Sequence, residues 1–101
     1  FASATTKTFN EQMCKFYSNL GITKYTVIRH SNVYGPYDKF DLEKSHFMGA
    51  TITKVLTAKK YIEVWGEGKE SRDFIFIDDL VNFIEKSIGL QKNSFEIYNC
   101  G

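Results

Sequence analysis

Apolar residues along this chain switch repeatedly between a helical and an extended period. Phe9, Met13, Phe16, Tyr17 and Leu20 recur at the spacing of one helix face. Thr5 or Thr6 is placed to cap that helix, and Gly21 to end it in the left-handed conformation. Tyr25 to Arg29 is short, β-branched and mostly apolar, which predicts a buried strand. Ser31 to Asp38 holds Asn32, Gly35 and Pro36, the chemistry of a turn. Ser45 is expected to cap a second helix with Phe47, Met48, Thr51, Ile52, Val55 and Leu56 on its apolar stripe. Tyr61 to Trp65 alternates as a strand, closed by a turn at Gly66–Gly68, and Asp73 to Ile77 predicts another. Asp78 or Asp79 caps a third helix that stops at Gly89, and Phe95 to Asn99 reads as a last strand. Helices alternating with strands indicate an α/β fold.

Composition narrows the class. The 101 residues are 43% hydrophobic and 25% charged, so neither a disordered tail nor a fibrous repeat fits. Thirteen basic against twelve acidic residues leave a net charge of +1, which gives no field to attract nucleic acid. No apolar run approaches the roughly 20 residues of a membrane-spanning helix. Cys14 and Cys100 have neither metal-ligand nor disulfide-framework spacing, and read as two buried reduced thiols in a cytoplasmic protein. The chain begins at Phe1 and not at an initiator Met, and it reads as cut from something longer.

The candidate chemistry follows the first strand. His30, Ser31, Asn32 and Val33 stand where that strand gives way to a Gly-Pro turn, and open α/β sheets bind ligands beyond the carboxyl ends of their strands. Five segments in order carry a resemblance. They are Lys7 with Glu11-Gln12, RHSNVYGPYD at 29–38, Ser45-His46, VWGEGKESRDF at 64–74 and FIDDL at 76–80, before a close on Tyr98-Asn99-Cys100-Gly101. Together they resemble the extended short-chain dehydrogenase/reductases that act on nucleotide sugars. The run at 34–46 is most similar to the branch that takes GDP-linked keto sugars.

That resemblance implies the second part of an NAD(P)-binding, Rossmann-type enzyme. Residues 1–38 would finish the dinucleotide-binding domain, interleaved with a substrate-binding region over 39–101. It implies hydride exchange between NADP or NAD and a sugar carbon, a nucleotide-diphosphate-sugar substrate and a homodimer packed through the first helix. Lys7 matches the lysine that binds the nicotinamide ribose and lowers the pKa of a catalytic phenol four residues earlier. Alone, Lys7 would read as a solvated lysine. Ser3 stands where that phenol belongs, and a serine hydroxyl has no ring to delocalise its charge. An inactive site, an altered start and a shifted register each account for the departure. Phe1 is aromatic but has the wrong offset and no hydroxyl.

By the same resemblance, His30, Ser31, Asn32, Val33 and His46 line the nicotinamide pocket. His46 is the second proton-handling group, since an imidazole titrates near neutrality. Asn32 faces substrate or cofactor, Lys54 partners a diphosphate, Trp65 offers a flat face to a base or sugar, and Arg72 a fork to phosphate oxygens. Read without it, Trp65 is a core aromatic and Lys54 a surface cation.

Overall fold

The computed structural model describes residues 2–101, and Phe1 lies outside the described residues. The elements in order are α1 (Ala2–Ser18), β1 (Tyr25–His30), β2 (Asn32–Tyr34), α2 (Phe47–Thr57), β3 (Phe74–Phe76), α3 (Ile77–Leu90) and β4 (Phe95–Cys100). The four strands form two parallel pairs, so the expected α/β class holds. β1 runs beside β4 from Tyr25↔Phe95 to His30↔Cys100, and β2 beside β3 from Asn32↔Phe74 to Tyr34↔Phe76.

Several boundaries differ from expectation, each for a local reason. α1 already includes Ala2, so Thr5 and Thr6 lie inside it. The Thr6 hydroxyl donates back to the Ala2 carbonyl at 2.8 Å, an alternative to capping open to threonine within a helix. Gly21 does adopt the left-handed conformation, at φ 72°. The turn expected at 31–38 contains β2, because the backbone and side-chain amides of Asn32 both donate to the Asp73 carbonyl, at 3.2 and 3.0 Å. Asp41 accepts the amides of Glu43 and Lys44 and winds the chain before α2. The N-cap therefore falls on His46, and the Ser45 hydroxyl is left buried without a partner.

Tyr61–Trp65 forms no strand. Its alternation supplies a pattern, but among the described residues no strand pairs with it, and a strand needs a ladder. Lys54 instead donates to the Glu63 carbonyl at 3.0 Å, tying the segment to α2. Asp78 and Asp79 occupy the first turn of α3, where carboxylates favour the helix dipole, and Phe76 takes the N-cap. Gly89 lies within α3, which continues to Leu90. Gln91 then terminates it and donates its side-chain amide to the Tyr25 carbonyl at 2.9 Å.

The core is small. Ile75 and Leu80 are its buried apolar residues, bordered by Tyr34 against Phe74 and Phe76 and by an edge-on contact of Phe83 with Tyr98. Cys14 and Cys100 are free thiols and half-buried, more accessible than the sequence suggested. The radius of gyration is 17.9 Å, against about 13 Å for a compact domain of this length. An elongated chain leaves large side chains uncovered, among them Phe9, Phe16 and Tyr17 on α1. No helix among the described residues is long and apolar enough to cross a membrane.

Candidate functional site

A cleft of about 640 Å³ opens at the carboxyl ends of β1 and β2. Its lining includes Lys7 from α1, His30 to Val33 where β1 passes into β2, and His46 at the start of α2. Parallel pairing places it there. β1 runs on through Ser31 into β2, and α3 begins beside the end of β2 because β3, parallel to β2, passes directly into Ile77. Gly35 makes the close approach possible, since a Cβ on it would run into the side chain of Ile77. Its φ of 154° also disfavours any other residue.

The polar groups of the cleft divide into committed and uncommitted ones. His30 Nδ1 lies 2.8 Å from the Ser31 carbonyl. A carbonyl only accepts, so Nδ1 carries the proton and Nε2 is left as the ring's acceptor when neutral. Asn32 spends its side-chain amide on the Asp73 carbonyl. The Ser31 hydroxyl oxygen is buried and has no partner. A buried hydroxyl without a partner is costly unless something bonds it, and the Ser45 hydroxyl shares that condition. Lys7 is exposed and supplies the positive charge, while His46 is exposed and its side chain makes no capping bond.

Arg29 and Glu11 join β1 to α1 beside the cleft. Arg29 Nε and Nη2 donate to Glu11 Oε1 and Oε2 at 2.8 and 2.6 Å. These bonds, with the attraction of the guanidinium, hold the Glu11 carboxyl below its ordinary pKa despite an opposing effect of burial. The same pairing raises that of Arg29.

The remaining candidates lie apart from the cleft lining. Lys54 sits 5.5 Å from the Trp65 ring centroid, and the Arg72 guanidinium 5.4 Å from that of Phe47, the residue after His46. The cleft thus gathers Lys7, His30, Ser31, Asn32, Val33 and His46, while Lys54 with Trp65 forms a second group along α2. Ser3 lies exposed on α1, one turn before Lys7. Tyr37, at the mouth of the cleft, escaped sequence reasoning. It is fully exposed and has a φ of 69°, rare for a tyrosine; its place after Gly-Pro was the available signal.

Comparison with known proteins adds an independent line. A family described as the NAD dependent epimerase/dehydratase family matches residues 4–101. The GDP-L-colitose synthase of Yersinia pseudotuberculosis is 46% identical over 57 residues, covering 52% of this chain and 18% of that protein. The GDP-L-fucose synthase of Azorhizobium caulinodans is 30% identical over 89 residues, covering 84% of this chain and 28% of that protein. The dTDP-4-dehydro-6-deoxy-D-allose reductase of Streptomyces bikiniensis is 33% identical over 75 residues, covering 74% and 23%. The chain therefore spans less than a third of the length of these relatives. No solved structure matches it.

Proposed function

Because this chain belongs to the NAD-dependent epimerase/dehydratase family, a Rossmann-type family of enzymes, we propose that it is the second part of an NAD(P)-dependent nucleotide-sugar epimerase/reductase resembling GDP-L-fucose synthase. Residues 1–38 complete the dinucleotide-binding domain, and 39–101 interleave the substrate-binding region with it. The preferred substrate is a GDP-linked 4-keto-6-deoxy sugar, epimerised and reduced. The protein works in the cytoplasm as a homodimer, to which the exposed Phe9, Phe16 and Tyr17 of α1 contribute an apolar face.

The observation that carries this reading is the cleft at the strand ends, lined by one ammonium, two imidazoles, the Asp38 carboxylate and one unpartnered buried hydroxyl. That donor set fits the ribose and nicotinamide end of NADP or NAD, which when bound supplies the hydride chemistry. Lys7 holds the ribose hydroxyls, and Ser31 bonds the carboxamide end. His30, Asn32 and Val33 form the floor, and His46 exchanges a proton with the sugar. Lys54 and Arg72 neutralise the diphosphate, and Trp65 stacks on the base or sugar.

Ser3 leaves the proton relay without a phenol, and its exposure on α1 favours a second reading. In that reading the chain is a non-catalytic module for nucleotide-sugar binding or oligomerisation. The decisive measurement is NADPH oxidation with a GDP-keto-sugar. The 101-residue chain alone is expected to turn over nothing. In the intact protein, Ser3→Tyr is expected to raise kcat by about 10²-fold, the lower range of acid–base catalysis. An intact protein already fully active with Ser3 overturns the non-catalytic reading. One that binds neither NADPH nor GDP overturns both.

A further inference from the structure

α1 is attached at one end and free at the other. Residues 2–10 are all exposed, Glu11 is the first half-covered position, and Ser18 is buried. The large apolar side chains of Phe9 and Phe16 point into solvent and do not fix the roll of the helix. Among the described residues, one ion pair joins α1 to a strand, Glu11 with Arg29; the other, Lys69 with Glu67, is local. Two parallel bonds fix orientation as well as distance.

Spacing gives this pair a second effect. Lys7 and Lys15 flank Glu11 at four residues on either side, about 6 Å along the same helix face. In an isolated helix either ammonium would compete for the Glu11 carboxylate. Here Arg29 occupies both of its oxygens, and Lys7 makes no ion pair among the described residues. We infer that Glu11 and Arg29 are positioning residues that set the free arm of α1 at the cleft and keep the Lys7 ammonium unpaired for an incoming ligand. The inference rests on the reading of Lys7 as a cofactor-holding cation.

The two effects have separable signatures. Glu11→Gln loses the clamp but leaves no carboxylate to capture Lys7. Arg29→Gln loses the clamp and releases one that does. The test is the NADPH dissociation constant of the intact protein, read by fluorescence titration beside a near-ultraviolet circular dichroism spectrum. Glu11→Gln is expected to weaken binding about threefold and Arg29→Gln about tenfold, within the usual range for coupled neighbours. Arg29→Lys should fall between them. Adding Glu11→Gln to Arg29→Gln should recover binding to the level of Glu11→Gln alone, an outcome that mere loss of structure does not produce. In a Lys7→Met background neither change should matter. If Arg29→Gln does not fold, the comparison of Glu11→Gln with and without Lys7→Met carries the test. Equal effects of Glu11→Gln and Arg29→Gln, no recovery in the double variant, or additivity with Lys7→Met overturns the inference alone. Unchanged binding by Lys7→Met overturns the reading of Lys7, and this inference with it.

Discussion

The strand-bearing part of the molecule and the stretch from 37 to 73 are held together by different physics. In the first, β1 and β4 share a six-residue parallel register, and Gln91 fastens the entry of β1 through Tyr25 and Thr26. In the second, Gly49 is the only buried residue, and every residue from 55 to 73 is exposed. Apart from the two bonds that Asp73, at its end, accepts from Asn32, its ties are single ones: Thr53 to the Phe40 carbonyl, Lys54 to Glu63 and to the Trp65 ring, Arg72 over Phe47, and Phe47 stacked on Phe74. A backbone ladder fixes geometry to a fraction of an ångström, whereas a cation over a ring tolerates sliding. The half that lines the cleft floor is therefore rigid, and the half that carries the proposed substrate contacts is adaptable.

The sharpest test of that contrast is a pair of truncations. Ile75→Ala is expected to cost about 2–5 kcal/mol in urea unfolding, as buried isoleucines do. Leu56→Ala, on a residue 79% exposed, should stay within about 0.5 kcal/mol. Equal costs would break the distinction. A smaller effect, about 1–3 kcal/mol, is expected from Gly49→Ala, because the added Cβ would strike the Lys39 carbonyl. Amide exchange over 47–57 should quicken while 25–30 and 95–100 stay protected; loss of protection in the strands would mean that the halves are one cooperative unit.

The smallest effect concerns pH. The Glu11 carboxyl is held below its ordinary value, chiefly by the bonds from Arg29. Its contribution is fully present above about pH 4.3, the unfolded value, and is lost as pH falls through the lower folded value. The pair is accessible to solvent, so the change should be slight and should shrink further with added salt. A Glu11→Gln variant that loses stability over that same pH interval by as much as the parent would show that another carboxylate is responsible.

What the sequence revealed follows the same division. β1, β4 and α3 were legible because apolar period and partner agree: Tyr25 to His30 has a matching strand at Phe95 to Cys100. Tyr61 to Trp65 has the period without the partner, and it stays irregular. β2 was hidden because Asn32 and Gly35 look like turn residues, and only the Asp73 carbonyl, 41 positions away, makes Asn32 a strand residue. At the site, the family resemblance singled out Lys7, His30 to Val33 and His46, and the fold gathers these on one cleft. The unsatisfied Ser31 hydroxyl and the grip of Arg29 on Glu11 depend on relations across the chain that no local pattern encodes.

The contacts of Gln91 also set a schedule for synthesis. It meets Lys24, Tyr25 and Thr26 across 67, 66 and 65 residues. A ribosome adding ~5–20 residues per second needs roughly 3–13 s to cover that distance. Until β4 follows, β1 lacks the strand it pairs with in this structure. Translational pauses placed between Thr26 and Gln91 would lengthen that wait, and with it the window for aggregation.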